Sequence, residues 1–373
     1  MGSGPSSTTA SAASLLDRFA VQAEVGQGAS GVVFRAHDTV TDQEVALKLV
    51  LVREGVSLDP DEFMREGKLL SGIDHPAVVR TIDFGTVAAE TLDIGGRLFQ
   101  RGTPYLAMEW LAGQDLQRRH ASQPLSLHES LEVARQLASA LATMHEQRIA
   151  HRDVKPSNVF VLEPGPDDGE SLTVKLVDFG VACGGDLSVT GAGPMVGTPA
   201  YMSPEQARGD ADVDVRCDLY SLGATLFELV ANRPPHTGQS PIATLVKLVS
   251  TPAPRLAEVV VDVPGAVDDL VADLLQQDPA RRPSAREAQR RLADLVADPG
   301  LPRVAGGLEL QLESVHSSTS RLVTTLVALN VATGDAREQQ LAQLRERGAE
   351  AVRLGRDSIV AFLGARRAHG REA

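Results

Sequence analysis

Lysine is almost missing from this chain, with five in 373 residues, at positions 48, 68, 155, 175 and 247. A lysine found where a motif demands one is therefore informative. Cysteine is scarcer: Cys183 and Cys217 are too few for a disulfide framework, and no second ligand pair gives a zinc pattern. No apolar run approaches the ~18 residues that a membrane span needs; Leu219–Val230, the best candidate, is broken by Glu228. The opening stretch, Met1–Ala13, has neither a basic start nor an apolar core, so no signal peptide is expected. Basic charge is also short, with 36 Lys and Arg against 49 Asp and Glu. The first 300 residues carry 26 against 41, which argues against a protein that tracks a nucleic-acid backbone. That acidity is compatible with basic protein substrates. The expectation is a cytoplasmic protein of a reducing compartment, with no membrane span and no nucleic-acid partner.

What is present looks globular. Hydrophobic residues make up 43% and charged residues 23%, and the length suits about two domains at roughly 100–200 residues each. Residues 1–18 read as a disordered tail rich in Gly, Ser, Thr and Ala. Strand-like stretches follow at Gln22–Val25, Gly31–Ala36 and Glu44–Val50, the last with Val45, Leu47 and Leu49 alternating. Asp61–Ile73 takes helical spacing, and residues 86–102 read as a loop or loose hairpin. After Trp110 helices dominate. Ser126 and Glu129 form a capping-box pattern ahead of an apolar stripe from Leu127 to Met144. Further helices are expected at Asp218–Ala231, Ser240–Leu248, Val267–Gln276 and Ser284–Ala297, and residues 298–317 read as a linker.

Three motifs carry chemistry. Gly26-Gln27-Gly28-Ala29-Ser30-Gly31-Val32-Val33 is a G-x-G-x-x-G-x-V between two strands. Glycines let a backbone approach phosphates closely, although such a stretch is often only a turn. No helix pattern begins at it, so a lid over a nucleotide fits better than a dinucleotide-binding turn. Lys48, in Val45-Ala46-Leu47-Lys48, is suited to pair with phosphate, the alternative being a solvated side chain. Glu66 is its natural carboxylate partner, with Asp61 and Glu62 as alternatives. Third, His151-Arg152-Asp153-Val154-Lys155-Pro156-Ser157-Asn158 precedes Asp178-Phe179-Gly180 by 20 residues. Asp153 can accept a proton from an attacking hydroxyl and Lys155 can neutralise a transferring phosphate. Asn158 and Asp178 are hard oxygen ligands for Mg²⁺. Residues 159–162 and 173–177 between them are expected to pair as a hairpin.

With these motifs, residues 19–297 resemble a protein kinase catalytic domain of the bacterial eukaryotic-like (Hanks-type) Ser/Thr class. Gly197-Thr198-Pro199-Ala200-Tyr201-Met202-Ser203-Pro204-Glu205 resembles the substrate-facing loop and the A-P-E motif, with Ser for Ala. Asp218 resembles the buried aspartate that holds the catalytic loop's backbone, and Arg282 the salt-bridge partner of Glu205. The resemblance implies an α+β bilobal protein kinase fold, with a β-rich lobe over 19–111 and a helical lobe over 112–297. It implies ATP with Mg²⁺, or Mn²⁺, and Ser/Thr hydroxyls of proteins as acceptors. ATP would lie under Gly26, Gly28 and Gly31, between Val25, Val33 and Ala46, with Met108 as gatekeeper and Glu109–Leu111 as hinge. Leu70, Phe179 and His151 would stack in the regulatory spine. Arg152 would pair with a phosphate on the activation segment. Ser188 and Thr190 are the expected autophosphorylation sites, and Thr198 would contact Asp153 and Lys155. His145 reads as a surface or packing residue, and Cys183 and Cys217 as packing residues.

Residues 318–366 form a small mixed segment. Arg321–Ala328 and Gly348–Phe362 resemble the opening of a class III nucleotide-cyclase domain, but Ala328-Leu329-Asn330 lacks the metal-binding aspartate and the segment is too short to be complete. A βαββ-like remnant for docking or self-association is expected, or an unrelated α/β appendage. An alternative for the whole chain is a nucleotide-binding scaffold acting through conformation. Its usual hallmark is loss of Lys48, Asp153, Asn158 or Asp178, and all four are present.

Overall fold

The computed structural model describes residues 15–28, 31–51, 60–164, 172–178, 198–301, 324–329, 341–345, 349–354 and 358–363. These divide into two compact units, one reaching to His75 and including Val79–Ala112, the other made of Pro76–Val78 and the chain from Gly113 onward.

The first unit is built on an antiparallel sheet. Its strands are β1 (Phe19–Gly28), β2 (Gly31–Asp38), β3 (Gln43–Val50), β4 (Thr81–Thr86) and β7 (Pro104–Glu109), in the order β1-β2-β3-β7-β4. Cross-strand register sorts the side chains onto two faces. Phe34 pairs with Leu47 and Leu47 with Ala107, and all three are buried in one apolar cluster. The alternate residues place Val33 beside Lys48, Lys48 beside Leu106, and Ala46 beside Met108 on the other face. Helix α2 (Pro60–Leu70) packs on β4, and Gly67 permits the approach: a Cβ there would sit 2.4 Å from the Phe84 ring.

The stretch read as a loop or loose hairpin is a formed one. Strands β5 (Thr91–Ile94) and β6 (Arg97–Gln100) pair around Gly95-Gly96, whose φ values of 62° and 84° suit a two-residue turn. Leu92, Ile94 and Phe99 are buried in the same cluster as Phe34, and the Phe34 and Phe99 rings meet edge to face at 6.2 Å. A correction concerns the tail. Leu15–Arg18, expected within the disordered stretch, form a short helix α1. Leu15 is buried in the core and Arg18 forks onto the buried Asp38 through Nε and Nη2, both at 3.0 Å. That fork holds the Asp38 carboxyl down at about 2.

The second unit is helical. Strand β8 (Gly113–Asp115) leads into α3 (Leu116–Ser122), then α4 (Leu127–Glu146), whose Ser126–Glu129 capping box forms as expected. Strands β9 (Val159–Leu162) and β10 (Val174–Leu176) make the anticipated hairpin, with β8 pairing on the far side of β9. Then come α5 (Pro204–Arg208), α6 (Cys217–Ala231), α7 (Pro241–Ser250), α8 (Gly265–Leu274) and α9 (Ala285–Val296). Helix α6 is buried almost all round, and α4 packs against both α6 and α9. Toward the C-terminus β11 (Thr324–Leu329), β12 (Ala349–Leu354) and β13 (Ser358–Leu363) form a sheet with β13 central, and residues 341–345 are helical. This is a βαββ order, and β12 lies beside α7 and α5. Among the described residues no helix is long and apolar enough to cross a membrane.

Candidate active site

In the first unit, Gly26 and Gly28 lie near the end of β1, Gly31 opens β2, and Gly28 pairs with Gly31. Val25 sits at a bulge in β1 and is half exposed. Lys48 is buried on β3, at 5% exposure, on the same face as Val33, Ala46 and Met108. Glu66 lies on α2, partly buried. The end of β7 is fixed by Glu109, whose Oε1 accepts the Arg80 N–H at 2.8 Å; Leu111 lies just beyond the strand.

In the second unit, the segment from His151 to Asn158 folds around Asp153. Lys155 Nζ donates to Asp153 Oδ2 at 2.7 Å, and Asn158 Nδ2 donates to the same oxygen at 2.8 Å and to the Asp153 carbonyl at 2.9 Å. Two donors on one oxygen leave Oδ1 to accept a further proton or hydroxyl. The β9–β10 pairing brings Asp178 to this loop, because Val177 N–H donates to the Asn158 carbonyl at 2.9 Å. His151 completes the junction. Fully buried, its imidazole is pushed down by desolvation and is neutral. Asp153 N–H donates to its Nδ1, which puts the ring proton on Nε2, facing the Val177 carbonyl at 3.1 Å. Arg152 and Asp178 both take positive φ, 66° and 58°, a conformation costly for side-chain-bearing residues and common at working sites.

Asp218, at the start of α6, holds that strained backbone. It is fully buried; Oδ1 accepts the Arg152 N–H at 2.7 Å and Oδ2 the His151 N–H at 2.8 Å. His145, expected to be a surface or packing residue, is instead a third partner: its Nε2 lies 3.0 Å from Asp218 Oδ2. These partners hold the Asp218 carboxyl below its usual value despite burial. Gln206 was also missed. Its Oε1 accepts the Ser203 N–H in the α5 capping box, and its Nε2 donates to the Arg152 carbonyl at 2.9 Å. The S-x-x-Q spacing at Ser203 was the readable signal for the cap.

Glu205 and Arg282 form a buried fork at 2.6 and 2.8 Å, with Arg282 also donating to the Arg216 and Gln276 carbonyls. The Tyr201 hydroxyl donates to Glu228 on α6. Thr198 is exposed; its carbonyl accepts the Tyr201 N–H, and no described hydrogen bond joins it to Asp153 or Lys155. The hydrogen bonds expected from Thr198 to these two residues are therefore absent among the described residues. Ser188, Thr190, Phe179 and Cys183 lie outside the described residues. Cys217 is buried and its thiol is pushed up by burial, as a packing residue requires.

Comparison with known proteins extends this picture. The chain is 33% identical over 282 residues to serine/threonine-protein kinase pkn3 of Myxococcus xanthus, covering 73% of this chain and 48% of that protein. It is 34% identical over 272 residues to serine/threonine-protein kinase PknL of Mycobacterium tuberculosis, covering 72% and 63%. The chain thus spans between about half and two thirds of the length of these relatives. A solved structure, Rad53 1-466 in complex with AMP-PNP, matches with a TM-score of 0.58 at 23% identity, covering 75% of this chain and 66% of that one, a likeness of fold. Residues 19–292 match the family model of the protein kinase domain, and the chain belongs to that family.

Proposed function

We propose that the chain is an ATP-dependent serine/threonine protein kinase with a catalytic domain over residues 19–297, transferring the γ-phosphoryl group of ATP to protein hydroxyls. The observation that carries this reading is the bonded cluster of Asp153, Lys155 and Asn158, hung from Asp218. Asp153 orients the acceptor hydroxyl and takes its proton; Lys155, already fixed beside it, offsets charge on the phosphoryl oxygens. Lys48 holds nucleotide phosphate, with Glu66 as its carboxylate partner. Val25, Gly26, Gly28, Gly31, Val33, Ala46, Met108, Glu109 and Leu111 line the nucleotide site.

The donor set also suits Mg²⁺. Asn158 directs its NH₂ to Asp153, which leaves its Oδ1 as a hard oxygen ligand, and Asp178 supplies a carboxylate. The cation, when bound, neutralises phosphate charge. Positioning and fixed charge then supply the rate. Autophosphorylation at Ser188 or Thr190 would bring a phosphate to the exposed Arg152. The reading suits a cytoplasmic enzyme, to be checked by cell fractionation.

Incubation with radiolabelled ATP and a generic protein acceptor tests the reading, beside an Asp153→Asn control. Label in the wild type alone is expected; label in neither leaves the scaffold alternative. For residues 318–366 we propose docking or self-association, supported by the position of β12 beside α5 and α7. The cyclase-like pattern is read as a remnant. Pull-downs with and without residues 301–373 test this, and identical partners and oligomeric state would overturn it.

A further inference from the structure

Arg97 reaches from the tip of the β5–β6 hairpin into the glycine-rich strand. Its Nε donates to Glu24 Oε2 at 3.0 Å, and its Nη2 donates to Glu24 Oε1 at 3.2 Å and to Gln27 Oε1 at 2.9 Å. Gln27 stands between Gly26 and Gly28, so the guanidinium is bonded to the glycine-rich stretch itself. On an even strand, residues 24 and 27 would project from opposite faces. Register shifts between Glu24 and Gly26, where Val25 is the extra residue, and one inserted residue returns Gln27 to the face of Glu24. A single planar fork therefore spans the bulge and fixes the bend there.

The other end of this grip is rigid. Arg97 is the first residue after the Gly95-Gly96 turn and pairs with Ile94. Asp93 Oδ1 accepts the Gly96 N–H at 2.9 Å and locks that turn. Ile94 and Phe99, flanking Arg97 in the hairpin, are buried in the core of the unit. The Arg97 and Glu24 side chains are each 38% exposed. An ion pair this exposed contributes little to global stability. Its effect falls on the element it holds, a strand end rich in glycine.

We infer that Arg97 is a positioning residue that sets the pose of the glycine-rich strand through Glu24 and Gln27, and so tunes nucleotide affinity. This rests on the ATP-site reading above. Loosening the strand lowers the fraction of molecules competent to bind, and the apparent affinity falls by that fraction.

The test is MgATP titration of the full chain by calorimetry, with steady-state kinetics. Arg97→Ala is expected to raise the Kd and KM for MgATP about three- to tenfold, with kcat within about twofold and Tm within about 2 °C of wild type. Arg97→Lys keeps the charge but loses the fork, and is expected to fall between the two. The swap Glu24→Arg with Arg97→Glu is expected to recover part of what Arg97→Glu alone loses. High salt is expected to narrow the gap between wild type and Arg97→Ala. Wild-type affinity in both Arg97→Ala and Arg97→Glu would overturn the inference alone. A wild type that binds no nucleotide would overturn the ATP-site reading and the inference with it.

Discussion

Asp153 Oδ2 receives two side-chain donors, from Lys155 and Asn158, so the carboxylate cannot rotate without breaking both. Asp153→Asn removes the proton acceptor while leaving the group's shape, and is expected to lower kcat about 10²–10⁴-fold with nucleotide affinity little changed. Quenched-flow and binding measurements check the two parts. His145→Leu deprives the buried Asp218 of one partner and is expected to cost about 1–3 kcal/mol in urea denaturation and to reduce kcat; His145→Gln, which keeps a donor, is expected to recover most of both. The residues around Asp153 were legible because they lie within eight positions and include a rare lysine. His145 was not, because its partner stands 73 residues away and a histidine at a helix end carries no signal of its own.

At the scale of elements, α2 owes its seat to Gly67, pressed against Phe84. Gly67→Ala is expected to push the helix off β4, costing about 1–3 kcal/mol by overpacking and displacing Glu66 with it. Circular dichroism melts would read the first effect and kcat/KM the second; unchanged values in both would contradict the packing. Periodicity and caps made α4, α6, α7, α8 and α9 legible, because long amphipathic or capped stretches repeat their signal over several turns. The β1 bulge, β8 and α3 were not seen. A bulge is set by the partner strand's register, and a three-residue strand has too few positions to show alternation.

Across the whole molecule, distant ties hold what local propensity does not. Glu205 and Arg282 are 77 residues apart and both buried; Arg282→Met leaves a buried carboxylate unpaired, at an expected cost of about 3–5 kcal/mol in equilibrium unfolding. Acid is expected to destabilise the fold well before its carboxylates titrate. Burial, with Lys247 nearby, pushes His236 from 6.5 down to about 4. Between those values the unfolded chain binds a proton that the folded chain does not, so stability falls as pH drops through this window, by on the order of 3 kcal/mol at most. Urea midpoints from pH 7 to 4 would show the slope, and His236→Leu is expected to reduce it, the rest coming from His120 and His151, which burial also pushes down. The scarcity of lysine has a practical consequence. Lys48 is buried, Lys155 is bonded to Asp153 and Lys247 to the Thr237 carbonyl, while Lys68 is exposed. Among the lysines, an acylating ester would therefore mark Lys68 ahead of Lys247, which is exposed but bonded, and any slower adducts on the other three would form a peptide map simple enough to track nucleotide occupancy one side chain at a time.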